Sequence, residues 1–122
     1  MIISIDTLNT SPIYEQLRDQ IVLGIAAGQF EAGESLPSVR RLAADLGVNF
    51  HTVNKSYRML CDEGYIVMDR RKGAVIAGEM PRNEELDLSR KLRLLAAEAI
   101  CRGIGEDEFL KICGKNFREV LT

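Results

Sequence analysis

Apolar residues recur at helical spacing along the first half of this chain. Ile13, Leu17, Ile21 and Ile25 step by four, with Tyr14 and Val22 beside them, and predict an amphipathic helix over 12–27. Ser11 is placed to cap it, Pro12 suits its first position and Gly28 ends it. The stretch GQFEAGESLP then reads as a turn-rich connector. Val39, Leu42, Ala43 and Leu46 form the inner face of a shorter helix over 38–46, with Ala43 small enough for two helices to cross closely. Gly47 supplies a left-handed turn, Val48 plugs the corner, and Asn49 caps a third helix over 50–62. Val53, Tyr57 and Leu60 face inward on that helix, which leaves His51, Thr52, Lys55 and Arg58 on or near its outer face. Beyond Gly64 the period changes. YIVM at 65–68 and AVIA at 74–77 are short β-prone runs joined by DRRKG, a hairpin that needs the helices as support.

The pattern breaks at residues 79–83, EMPRN, read as a linker between a first domain over 1–78 and a tail over 84–122. Two tail helices are expected, roughly 84–102 and 106–121, interrupted at Gly103-Ile104-Gly105. Leu88, Leu92, Leu95 and Ala99 step by 4, 3 and 4, a coiled-coil-like seam. Leu110, Cys113, Phe117 and Leu121 make a second stripe, flanked by Phe109 and Val120. Glu106, Asp107 and Glu108 open the last helix and Lys115 and Arg118 lie near its end, matching the helix dipole. A segment this short seldom buries enough surface to fold alone. Its stripes call for a partner, and the same tail of a second chain supplies one, giving a two-fold homodimer. Leu88, Leu92, Leu95, Ala99, Phe109, Cys113, Phe117 and Leu121 are the expected interface. The fold class is therefore mainly α with a small β-hairpin wing: a winged helix-turn-helix followed by a C-terminal helical hairpin for dimerisation.

Charge sharpens this picture. The net charge of the 122 residues is −2, which by itself favours no anionic partner. The average hides a segregation. Residues 1–35 hold Arg18 against Asp6, Glu15, Asp19, Glu31 and Glu34. Residues 36–73 hold Arg40, Arg41, Lys55, Arg58, Arg70, Arg71 and Lys72 against Asp45, Asp62, Glu63 and Asp69. The cations sit where an exposed helix and a hairpin tip would meet the phosphates of duplex DNA, and local charge steers such an encounter more than the total does.

The expected chemistry is that of contact. Ser38 caps the second helix, and Arg40 and Arg41 follow it, where a guanidinium reaches a phosphate or a guanine edge. Asn49, Phe50, His51 and Thr52 open the third helix, whose free N–H groups face a phosphate. Phe50 is either a buried staple or an exposed contact to thymine methyls. Lys55 and Arg58 suit phosphate neutralisation. Arg70, Arg71, Lys72 and Gly73 form a hairpin tip suited to the minor groove.

No nucleophile–histidine–acid series, phosphate-cradling glycine loop or zinc spacing occurs, so no catalytic residue, metal or cofactor is expected. Cys61, Cys101 and Cys113 read as small buried apolar residues. No run is long enough to span a membrane and the N-terminus does not resemble a signal peptide, so a cytoplasmic location is expected. The tail is expected to lack room for a ligand pocket within one subunit.

Several motifs in order carry a family resemblance: PIYEQLRDQI at 12–21, G-x-F at 28–30, LPSVRRLA at 36–43, LGVNFHTV at 46–53 and Y-x-x-L-x-x-x-G at 57–64. Over about residues 11–77 the chain resembles the winged helix-turn-helix domain of GntR-type bacterial transcription regulators, and its short tail resembles the YtrA-like subfamily. The resemblance implies a dimeric repressor on a palindromic operator, often of a transporter operon. It directs Arg40 at the operator, gives Asn49, Phe50, His51 and Thr52 the base-reading and backbone-contacting positions, and sends the tip from Arg70 to Gly73 to the minor groove. Two departures bear on operator sequence. Arg41 stands where the family often has an acid, so Ser38 lacks a reciprocal capping partner, and Phe50-His51 replaces smaller or basic residues. Two other readings of the residues stay open: a winged-helix protein-interaction module, and a thiol-based redox regulator using Cys101 and Cys113.

Overall fold

The computed structural model describes residues 3–80 and 85–122, with the side chains of residues 85 and 86 outside that description. The elements are α1 (Ile13–Ala26), α2 (Val39–Leu46), α3 (Phe50–Asp62), β1 (Ile66–Asp69), β2 (Gly73–Ile76), α4 (Glu85–Cys101) and α5 (Glu106–Leu121). They form two compact units, Met1–Met80 and Pro81–Thr122. Most of the segment read as a linker, and the expected first residue of the tail, lie outside the described residues.

Local chemistry sets the ends of α2 and α3. The Ser38 hydroxyl accepts the Arg41 N–H at 3.2 Å, and the Asn49 carboxamide accepts the His51 N–H at 2.7 Å. Each cap satisfies a backbone donor left open at a helix start. Between the two helices Gly47 adopts φ 67°, a left-handed conformation that a side chain would strain, and Val48 turns back to bond the Ala43 carbonyl at 3.0 Å.

The first helix starts differently from expectation. Pro12 is the N-cap, in extended conformation and without a side-chain cap, and Ser11 is engaged elsewhere. Its N–H donates to Asn9 Oδ1 and its carbonyl accepts from Gln16 Nε2. Gln16, buried on α1, also pairs with both backbone groups of Asp6, and Gln20 one turn on does the same for Ser4. Two glutamines thus hold the N-terminal segment along the helix as a neighbouring strand would. The apolar stripe of α1 is also shorter than its period suggests: Leu17 and Ile21 are fully buried, Ile25 is half-buried, and Ile13 is exposed.

Leu17 and Ile21 of α1 meet Leu42 and Ala43 of α2, Val53, Tyr57 and Leu60 of α3, and Ile66, Ala74 and Ile76 of the wing in one core. Complete burial of an aliphatic side chain of this size is worth about 1.5–3 kcal/mol. Two polar groups enter this core with partners. Ser56, fully buried, donates to the Tyr14 carbonyl at 2.6 Å, and the Tyr57 hydroxyl donates to the Pro37 carbonyl at 2.7 Å. Burial pushes the Tyr57 phenol well above its ordinary pKa, so it stays a donor.

The wing is an antiparallel pair in which Asp69 faces Gly73 and Ile66 faces Ile76. Both strands lie one residue from the expected runs. The connector before α2 is more than a turn: Gly33 and Leu36 donate to Ile76 and Ala74 carbonyls, and Ile76 donates to Glu34. β2 is therefore flanked on both edges, and its Ala74, Val75 and Ile76 are buried, whereas Val67 and Met68 on β1 are exposed.

In the second unit, α4 and α5 are joined through Gly103, at φ 79°. Glu106, Asp107 and Glu108 occupy the first turn of α5 and Arg118 its last. None of the described helices is long and apolar enough to cross a membrane.

Candidate nucleic-acid interface

The first unit carries exposed cations at the start of α2, along α3 and at the wing tip. The Ser38 cap starts α2 and leaves Arg40 and Arg41 in its first turn, both exposed. Arg41 faces Asp45 one turn on at 3.9 Å, an open surface pair of little energetic weight. Arg40 instead lies over the ring of Phe50, its guanidinium carbon 5.4 Å from the centroid. Phe50 is 40% exposed, and the His51 ring stands against it at 5.6 Å and 83°. Of the two readings left open for Phe50, the buried staple is set aside.

Along α3, Asn49 and His51 are exposed, Thr52 is half-buried, and Lys55 and Arg58 are exposed. Lys55 is held rather than free: its ammonium sits 3.9 Å from the centre of the Tyr14 ring of α1. At the wing tip, Asp69 Oδ1 accepts the N–H groups of Arg71 at 2.8 Å and Lys72 at 3.0 Å. These two bonds, that from Lys72 first, hold the Asp69 carboxyl below the usual carboxylate range. Gly73, at φ 75°, closes the turn, and Arg70, Arg71 and Lys72 project from it, all exposed.

Three further side chains hold these elements in place. Tyr14, which carries Lys55, belongs by its spacing to the apolar stripe of α1, and no local signal pairs it with a residue 41 positions away. Arg18 pairs with Glu63 at the end of α3, Nε to Oε1 at 3.0 Å, and lies 5.5 Å from the Tyr65 ring. That tie, chiefly the Glu63 hydrogen bonds, raises the Arg18 pKa further. Asp69 was legible, since an aspartate ahead of a glycine-closed turn commonly bonds its own backbone.

The residues expected at a dimer interface divide in two. Leu88, Leu92, Leu95, Phe117 and Leu121 are exposed, as are Leu94, Ile100, Leu110 and Ile112, while Phe109 and Cys113 are half-buried. Ala99 stands apart from both groups. It is already buried in the single chain, where the bend at Gly103 returns the Ile104 N–H to its carbonyl at 2.9 Å. The same bend opens an apolar concavity of about 690 Å³, lined by Ala96, Ala99, Ile100, Ile104, Phe109 and Leu110. The expectation that the tail lacks room for such a volume is thereby corrected. So is the reading of three buried cysteines: Cys101 is exposed, Cys61 and Cys113 are half-buried, and desolvation pushes the Cys61 thiol up, with Asp62 adding to the shift.

A capped, exposed helix braced by a short helix behind it and a basic hairpin beside it defines a winged helix-turn-helix DNA-binding protein. Comparison with known proteins agrees. The model of the family "Bacterial regulatory proteins, gntR family" matches residues 10–76. The transcriptional repressor YtrA of Bacillus subtilis is 40% identical over 75 residues, 62% of this chain and 58% of that protein. A solved structure of YtrA from Sulfolobus acidocaldarius, a GntR-family transcription factor, is 40% identical, with TM-score 0.69 over 83% of this chain and 99% of that one. A protein from Listeria monocytogenes EGD-e described as a transcriptional antiterminator is 27% identical, with TM-score 0.90 over 100% of this chain and 94% of its own. The chain belongs to the GntR family of DNA-binding transcription regulators, in its YtrA-like branch.

Proposed function

We propose that this protein acts in the cytoplasm as a homodimeric repressor, binding a palindromic operator and occluding a promoter. The observation that carries the reading is the coincidence of exposed cations with the capped start of α3 and the hairpin tip, in a chain whose total charge is negative. Each subunit lays α3 in a major groove, with half-sites about one helical turn apart. Arg40, Asn49, Phe50, His51 and Thr52 meet base edges and the nearest phosphates. Ser38 and Arg41 approach the backbone at the start of α2, and Lys55 and Arg58 neutralise phosphates further along α3. Arg70, Arg71, Lys72 and Gly73 enter the flanking minor groove. The exposed leucines of α4 and α5 take the matching surface of a second copy. A transporter-related operon is the target that the YtrA-like resemblance implies.

The test is selection of bound duplexes from a random library, followed by affinity against salt. A palindromic consensus is expected, with log K falling by about 0.9 per neutralised phosphate against log salt. Recovery of no preferred sequence, with a flat salt response, overturns the reading in favour of a protein-docking module.

A further inference from the structure

We propose that Phe50 is a specificity-determining positioning residue, whose ring holds the Arg40 guanidinium over one face and meets the His51 ring edge to face, so that the three side chains read the operator as one unit. The inference rests on the reading of this face as the operator-reading surface. It begins from an anomaly of placement. Phe50, the first residue of α3, leaves 40% of its surface exposed although an apolar core lies directly beneath that helix. Its ring is engaged at the surface. Arg40 from α2 covers it at 5.4 Å, and His51 stands edge to face at 5.6 Å and 83°. Among the described residues Arg40 has no carboxylate at ion-pair distance, while Arg41 beside it faces Asp45.

A guanidinium held over an aromatic face by its positive charge still has N–H groups to offer, and these pair bidentately with a guanine. The ring removes rotamer freedom that a free arginine would lose on binding. The backbone that carries His51 is fixed as well, because Asn49 Oδ1 accepts its N–H at 2.7 Å. Two DNA-facing groups from different helices are thus ordered by one ring across the mouth of the helix-turn-helix.

The experiment uses the full chain and the selected operator. Binding is measured for that duplex and its single-base variants with Arg40→Ala, Phe50→Leu, Phe50→Tyr and the Arg40→Ala/Phe50→Leu double variant. Arg40→Ala identifies the base step that Arg40 reads. Phe50→Leu, which keeps apolar bulk and removes the ring face, is expected to cut discrimination at that same step by about two- to five-fold, the range of an exposed cation–π contact. At that step it should add nothing in the Arg40→Ala background, and Phe50→Tyr should restore discrimination. A uniform loss on every duplex, no change, or full additivity with Arg40→Ala overturns the proposal. Lys55→Ala separates that failure from failure of the reading beneath it. If Lys55→Ala and Arg40→Ala weaken binding while Phe50→Leu does not, only the role of Phe50 falls; if none of them changes DNA binding, both fall. Thermal melting of each variant accompanies the series, and a partly exposed ring is not expected to move it by more than a few degrees.

Discussion

In the winged unit, apolar side chains from α1, α2, α3 and both strands close on one another, and Leu17, Ile21, Val53 and Leu60 have no exposed surface at all. In the helical unit, α5 buries nothing, and Ala99 is the one buried residue among those described. Leu88, Leu94, Leu95, Ile100, Leu110, Phe117 and Leu121 are each more than half exposed. Both units carry apolar residues at helical spacing, so periodicity alone does not distinguish them. The difference lies in how many directions the elements come from. Three short helices and a hairpin enclose a volume, whereas two helices joined at a bend leave apolar faces open. A finished core carries stability by itself, and an unfinished one is a surface for association.

That contrast is broken or sharpened first by Leu60→Ala. Leu60 is fully buried where α3 meets the rest of the core. Its truncation is expected to cost about 2–5 kcal/mol in denaturant unfolding, and a cost near zero would mean that the winged unit has no packed core. The matching change in the other unit is Leu92→Asp with Leu95→Asp. It is expected to leave the unfolding of the winged unit within about 0.5 kcal/mol, the usual range for exposed positions, while sedimentation shifts from dimer to monomer and operator affinity falls at least about ten-fold through loss of the second half-site. An unchanged sedimentation coefficient would remove the helical unit from dimerisation.

A smaller effect is expected at the cap of α3. Asn49→Ala frees the His51 N–H and should cost about 1 kcal/mol, read as a fall of about 4–8 °C in the melting temperature of a domain of this size. A cost in operator affinity without any change in melting would show that Asn49 works on the DNA alone.

The smallest effect concerns the wing and acid pH. The Asp69 carboxyl is held below its unfolded pKa by the Lys72 and Arg71 N–H groups. Its contribution is thus complete above the unfolded pKa and is lost as pH falls through the folded one. Amide exchange at Arg71 and Lys72, corrected for its intrinsic pH dependence, should lose protection as pH drops below the carboxylate range and stay constant near neutrality. In Asp69→Asn the amide oxygen still accepts but no longer titrates, so that acid-side change should disappear. Its persistence would place the titrating group elsewhere.

The readable parts of this protein are those governed by neighbours in sequence. Ser38, Gly47, Asn49 and Gly64 mark the ends of α2 and α3 because caps and left-handed turns involve residues within four positions of one another, and Val53, Tyr57 and Leu60 are inward because a helix repeats every 3.6 residues. The clustering of Arg70, Arg71 and Lys72 at a turn was equally visible, since two β-prone runs flank it. The periodicity of α4 and α5 marked apolar faces, but only the bend at Gly103 decided that Ala99 would be buried and a concavity opened beside it. The same limit applies to the long-range side-chain pairs of the winged unit. Arg40 over Phe50, Lys55 over Tyr14 and Arg18 on Glu63 join residues 10 to 45 positions apart, and the connector at 33–36 flanks β2 across a similar gap. Such pairs depend on where helices cross and how strands are ordered, which a periodic pattern does not encode. The sequence by itself therefore determined which segments become helix or strand and which charges they carry. Only the tertiary packing decided which of those charges are free, which are held, and which apolar faces remain open.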